Sequence, residues 1–428
     1  MLSTNMTFLP RSFFLLLMGW KEALLALTIG WLLLTRKRPT LLFIDKLILI
    51  YILYTVVYAT LPNSFFPSPL TPTQRMMGVR MSLVPIFLYV LGRYIIVNEM
   101  QIKRLVKKLI IITVVVSGFG VFETLLIPRE TYTNTLNSLG RVRLETLRVP
   151  PKRAQDIEYE VLQHDQAYIR TIMGMQVPRL ISFYMKPLTP AYASIFIVLI
   201  MGYIIISGSG KVFTKYPRWL FLLFALAMIM TMTRAVIFIT MLMLLFIMRK
   251  EKSFKGIQLI LIMIIPMIAG FSLVADFVSS TITLEEPSVV NHLLAYVQGL
   301  ETLKANPLGV GLGQGGPVAQ AILGKVAAGE SLYLTLAVER GIQGLVLFLL
   351  VCIALVFTLK KGFKVIKTPI SKAILSATYF STFVFLITSI TTETWFGFKD
   401  AGIYWIFAGF SAQLIANSHQ QPPRVMVR

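Results

Sequence analysis

Long apolar runs separated by short clusters of Lys and Arg dominate the chain. They lie near 12–34, 41–61, 76–97, 109–127, 187–207, 219–248, 257–276, 331–358, 372–391 and 401–417. Most of them reach about the 20 residues that an α-helix needs to cross a bilayer. The run 219–248 is too long for one crossing, because thirty helical residues span ~45 Å against a hydrocarbon core of ~30 Å. Its flanks decide how it folds. Lys211, Lys215 and Arg218 precede it, and Arg249, Lys250, Lys252 and Lys255 follow it. Both flanks have the basic character of cytoplasmic loops, so the pattern predicts a hairpin, 219–232 and 233–248, with Thr231-Met232-Thr233-Arg234 near its tip. The expected architecture is an all-α polytopic membrane protein of about 11 transmembrane helices, N-terminus outside and C-terminus inside. The first run is interrupted by Lys21 and Glu22 and reads either as one helix or as two short pieces.

Composition narrows the class. The 428 residues are 56% hydrophobic and 14% charged, and their mean hydropathy is +0.74. A water-soluble domain is roughly half apolar and about a quarter charged, so a soluble enzyme and a disordered chain are both excluded. The formal net charge of +22 is strongly basic, but it follows the loops. Those expected inside (35–40, 98–108, 208–218, 249–256, 359–372 and 418–428) hold 21 basic residues against Glu99 and Glu251. Membrane orientation therefore accounts for most of the charge, and no nucleic-acid partner is expected. Residues 1–428 read as a single integral membrane domain with two long outer segments, 128–186 and 277–330. Cys352 lies in an apolar run and excludes an internal disulfide. His164, His292 and His419 are too scattered for a local zinc motif, and no cofactor or metal is expected.

The candidate chemistry sits on the outer face. Arg234 lies inside an apolar run, where a guanidinium costs several kcal/mol and marks a cavity or a partner. Arg80, Arg93 and Arg340 are weaker intramembrane cations, suited to structural pairing or to snorkelling towards an interface. The first outer segment is rich in Lys and Arg and ends in Pro178-Arg179-Leu180-Ile181-Ser182-Phe183-Tyr184-Met185-Lys186-Pro187. There Arg179, Lys186 and Tyr184 meet the membrane surface, either anchoring the helix or facing a diphosphate. In the second segment, Leu293, Tyr296, Val297, Leu300 and Leu303 recur at helical spacing and predict an amphipathic helix on the outer interface. His292 opens that helix as a cap-region residue or a ligand contact. The glycines of Asn306-Pro307-Leu308-Gly309-Val310-Gly311-Leu312-Gly313 predict tight turns and close backbone approach. Glu330 begins the next span, either as a carboxylate favoured by the helix dipole or as a general base. Glu339 and Arg340 are expected to form an internal ion pair.

The order of these pieces resembles the O-antigen ligase and polysaccharide polymerase family of bacterial membrane glycosyltransferases, over roughly 179–348. The resemblance runs through Arg179 with Tyr184 and Pro187, Thr233-Arg234-Ala235, His292, the glycine run 306–313, Glu330-Ser331-Leu332-Tyr333-Leu334, and Glu339-x-Gly341-Ile342-x-Gly344. It implies a GT-C-like fold in the bacterial inner membrane with the active site on the extracytoplasmic side. It also implies a glycan donor carried on undecaprenyl diphosphate and an inverting, metal-independent transfer. Arg179 and Arg234 would then hold the diphosphate. Glu330, with His292 as its rival, would be the base, and Tyr184, Lys186, Arg80 and Tyr333 are candidates for a supporting role. The ligase branch has His-Asn-x-x-Leu where this chain has Glu330-Ser331-Leu332-Tyr333-Leu334, so the likeness is closer to exopolysaccharide or capsule polymerases. Expected partners are the lipid-linked oligosaccharide, membrane lipids and a chain-length regulator or export protein. Two alternatives stay open. One is ligase-type transfer of a finished glycan to a lipid or wall acceptor. The other is a lipid-linked glycan flippase or transporter, although a second hairpin symmetric with 219–248 is not visible.

Overall fold

Proline and hydroxyl residues set where the apolar runs become helices. Pro72, Pro217 and Pro369 each occupy a first helical position, where the missing N–H is no loss. Thr71 and Gln74 form a capping box at one of these starts, with Thr71 N–H donating to Gln74 Oε1 at 2.9 Å and Gln74 N–H to Thr71 Oγ1 at 3.3 Å. A computed structural model describes residues 11–36, 39–67, 70–95, 99–127, 169–172, 175–182, 188–209, 216–253, 257–259, 261, 287–316, 319 and 331–420. Its helices are α1 (Arg11–Thr35), α2 (Phe43–Thr60), α3 (Pro72–Arg93), α4 (Glu99–Leu126), α5 (Leu188–Ile206), α6 (Pro217–Met230), α7 (Arg234–Glu251), α8 (Pro287–Ala305), α9 (Leu332–Val365), α10 (Pro369–Thr388) and α11 (Phe398–Gln420). Among the described residues, α2, α3, α4, α5, α9 and α10 are each long and apolar enough to cross a membrane.

The helices fall on the expected runs, with three points of detail. The run 219–248 is a helical hairpin, broken at Thr231-Met232-Thr233, with Met232 in the left-handed region at φ 52°. The first helix is continuous through Lys21 and Glu22. The expected span 257–276 lies mostly outside the described residues. One element is additional to the all-α expectation. β1 (Ile169–Ile172) and β2 (Met175–Pro178) form an antiparallel ribbon in which Arg170 opposes Val177.

Helix α5 is the centre of the core. It is apolar all round and is buried all round, as a helix enclosed by other helices must be. It packs against α6, α7, α10 and α11. The pair α3–α11 is held at backbone distance by Gly92 and Gly409. A side chain at Gly92 would strike Ile406 O, and one at Gly409 would strike Tyr89 O.

Connectivity separates two ends of the bundle. At the basic end the Arg93 guanidinium, buried, pairs with Asp45 at 2.9 Å and donates to Gln413 at 2.7 Å, while Tyr89 also donates to Asp45 at 2.8 Å. Arg93 thus ties α2, α3 and α11 together and is structural. The opposite end gathers the ribbon, the α6–α7 turn, α8, the glycine-rich segment, the start of α9 and the α10–α11 connection. Leu332 N–H donates to Ser389 O at 3.0 Å, and the Tyr192 and Thr392 hydroxyls lie 3.0 Å apart.

Candidate functional site

The ribbon delivers Arg179 directly to the tip of the helical hairpin. The last carbonyls of a helix lack intrahelical partners, and here the segment after β2 supplies two. Leu180 N–H donates to Met230 O at 2.9 Å, and Arg179 Nε donates to Thr231 O at 2.8 Å. Arg179 Nη2 also reaches Thr233 Oγ1 at 3.4 Å. Arg179 is buried, and the residue after Thr233 is Arg234, half-buried at the first position of α7. Two arginines far apart in sequence are therefore joined through a three-residue turn. Arg234 stands at a helix N-terminus, whose exposed N–H groups already carry partial positive charge. That potential favours an anion.

The same segment is clasped from the other side by α4. Leu180 fills the notch over Gly120. Ser182, in the left-handed region at φ 51°, donates from Oγ to Val116 O at 2.8 Å. Its N–H faces the carboxylate of Glu123. Glu123 is a buried acid that the pattern of apolar runs does not single out. It lies inside the run 109–127, on the same helical face as Val116 and Gly120.

A second construction lies along α9. This helix is broken at Gly341 (φ 75°, ψ 176°), and the glycine-rich segment fills the break. Val310 N–H donates to Val338 O at 2.8 Å, Gly311 N–H to Glu339 O at 3.0 Å, and Ile342 N–H to Pro307 O at 3.1 Å. The hydroxyls of Tyr54 and Tyr58 on α2 complete it, on Arg340 O at 2.6 Å and Leu308 O at 2.9 Å. Gly309 lies at φ 95°, and a side chain there would meet Gly341 N and the Tyr58 hydroxyl. The expected role of these glycines in turns and close approach is met.

Glu339 and Arg340 do not form the expected ion pair. Successive helical residues point about 100° apart, and each finds its own partners. Glu339 Oε1 accepts from Gly313 N–H at 2.9 Å and Gly315 N–H at 3.1 Å. Arg340, wholly buried, donates to the Tyr51 and Ser82 hydroxyls on α2 and α3. Thr335, one turn before Glu339 on α9, donates to Glu393 in the α10–α11 connection.

The remaining expected site residues are distributed as follows. Arg80 pairs with Glu22 of α1, Nε to Oε1 at 2.8 Å. Tyr333 donates to Leu386 O on α10 at 2.6 Å. Glu330, Tyr184 and Lys186 lie outside the described residues; Glu330 precedes Ser331, whose Oγ caps α9. His292 does not open its helix. Helix α8 begins at Pro287, which puts the main chain of His292 in the second turn and removes the cap reading. In the same helix Gly299 is buried against Leu334, while Leu293, Leu294, Val297 and Leu300 stay exposed, as an interfacial helix requires.

Fold and composition together define a multi-pass helical membrane protein. No family model matches the chain, and no curated protein is significantly similar to it.

Proposed function

We propose that the protein is a GT-C-like membrane glycosyltransferase that polymerises lipid-linked repeat units on the outer face of a bacterial inner membrane. The observation that supports this most is the joining of Arg179 to the turn that presents Arg234. Guanidinium forks are suited to phosphate oxygens because they donate paired, charge-assisted hydrogen bonds. In the proposed reaction a sugar hydroxyl of one repeat unit attacks the anomeric carbon of a glycan on undecaprenyl diphosphate. The new glycosidic bond forms as the bond to the diphosphate breaks, with inversion. Undecaprenyl diphosphate leaves with the bond's electron pair, and the hydroxyl proton passes to Glu330 or His292. Arg179 and Arg234 stabilise the negative charge that grows on the leaving group. The family resemblance implies a metal-independent reaction.

The test is a polymerisation assay in proteoliposomes given lipid-linked oligosaccharide. Wild-type protein should give a ladder of products. Arg234→Ala should slow laddering about 100-fold or more, the loss typical of removing one charge-stabilising group. Ladders unchanged by Arg234→Ala contradict the assignment. A single transferred product in place of a ladder moves the protein to the ligase reading.

A further inference from the structure

We propose that Glu123 is a ligand-binding carboxylate of the Arg179–Arg234 site and accepts hydrogen bonds from hydroxyl groups of the glycan. The inference rests on the functional reading above. Glu123 lies near the end of α4 and is 9% exposed. It belongs to the face of α4 that Leu180 and Ser182 cover, through Gly120 and Val116. The N–H of Ser182 faces its carboxylate, but Oε2 is buried and has no hydrogen-bond partner among the described residues. A buried carboxylate oxygen without a donor is costly, and native structures seldom keep one without a use.

The chain around it is strained as well. Ser182 and Met232 hold left-handed conformations without being glycine, one on each segment that Arg179 joins. Such conformations cost about 1–3 kcal/mol each and gather at ligand sites.

Charge then decides what Glu123 addresses. A carboxylate repels a diphosphate, so it serves a different part of the ligand from the arginines. When ionised it is a pure acceptor with room for about four donors, which matches a ring of sugar hydroxyls. The first sugar of a lipid-linked glycan is bonded to the diphosphate itself. A diphosphate held by Arg179 and Arg234 therefore brings those hydroxyls to the neighbourhood of the segment 180–182 that Glu123 touches.

The substitution Glu123→Gln separates this role from a structural one. The amide oxygen still accepts from Ser182 N–H, while its NH2 group puts a donor where the ligand needs an acceptor. The measurement is binding of undecaprenyl diphosphate, and of undecaprenyl-diphosphate-linked oligosaccharide, to protein in nanodiscs. Wild-type protein should bind the glycan-bearing lipid at least tenfold more tightly than the bare one. Glu123→Gln should bind bare undecaprenyl diphosphate as wild type does and lose about tenfold on the glycan-bearing lipid. Glu123→Asp, which keeps the charge but draws it back by one methylene, should show an intermediate loss. Equal losses on both lipids, or no loss on either, overturn the assignment and leave Glu123 as a holder of residues 180–182. Wild-type protein that binds neither lipid overturns the functional reading, and this inference with it.

Discussion

A guanidinium at the first residue of a helix stands where backbone N–H groups are already partly positive, so the local field works against it. Arg234 occupies that position, and the buried guanidinium of Arg179 is bound to the turn just before it. At Arg179 the geometry of the side chain matters as well as its charge. Its planar fork reaches Thr231 O and Thr233 Oγ1 together, and a lysine offers a point charge without that geometry. Arg179→Lys should destabilise the protein by about 1–3 kcal/mol, the cost of leaving a buried carbonyl unpaired, and thermal unfolding in detergent will measure it. Arg234 was legible in the sequence because a cation in an apolar run is costly wherever it falls. Glu123 was not. A single acid near the end of an apolar run reads as interfacial, and its partner Ser182 comes from a segment that only the fold brings to α4.

Among the elements, the hairpin α6–α7 and the broken helix α9 shape the loop-rich end. The hairpin was readable because basic clusters on both flanks of 219–248 forbid a single crossing. The break in α9 was hidden, since one glycine inside a helical pattern costs only ~1 kcal/mol and is routinely tolerated. What fixes it is the segment 307–311, whose N–H groups occupy the freed carbonyls of Val338 and Glu339. Gly341 has φ 75°, and a side chain there would strike Leu308 and Gln343. Gly341→Ala should therefore lower stability by about 1–3 kcal/mol, whereas Gly118→Ala, with open space around it, should be neutral or mildly stabilising. Glu339 serves the same segment by accepting two main-chain N–H groups. Glu339→Ala should loosen residues 311–316, seen as faster hydrogen exchange there, while Glu339→Gln, which keeps an acceptor oxygen, should retain most of the protection. An unchanged exchange pattern in Glu339→Ala would contradict that role.

Across the whole molecule, alternate ends of the helices differ sharply in charge. The helix ends at Thr35, Phe43, Arg93, Glu99, Ile206, Pro217, Val365 and Pro369 belong to one end, whose connecting sequences are rich in Lys and Arg, and the candidate site lies at the other. The positive-inside rule supports the proposed outward orientation of the site. With Cys352 replaced by Ala, a cysteine at Ser64 should react with a membrane-impermeant thiol reagent added outside intact cells. One at Ser253 should react only after lysis, and the reverse pattern would invert the topology. The proposed function depends on a diphosphate held by two arginines at this end, and equilibrium binding of undecaprenyl diphosphate to Arg234→Ala protein is its sharpest test. Affinity at least tenfold below wild type, or about 1.4 kcal/mol, is expected, with a much smaller change for undecaprenyl monophosphate. Equal affinity for the diphosphate in wild type and variant would contradict it.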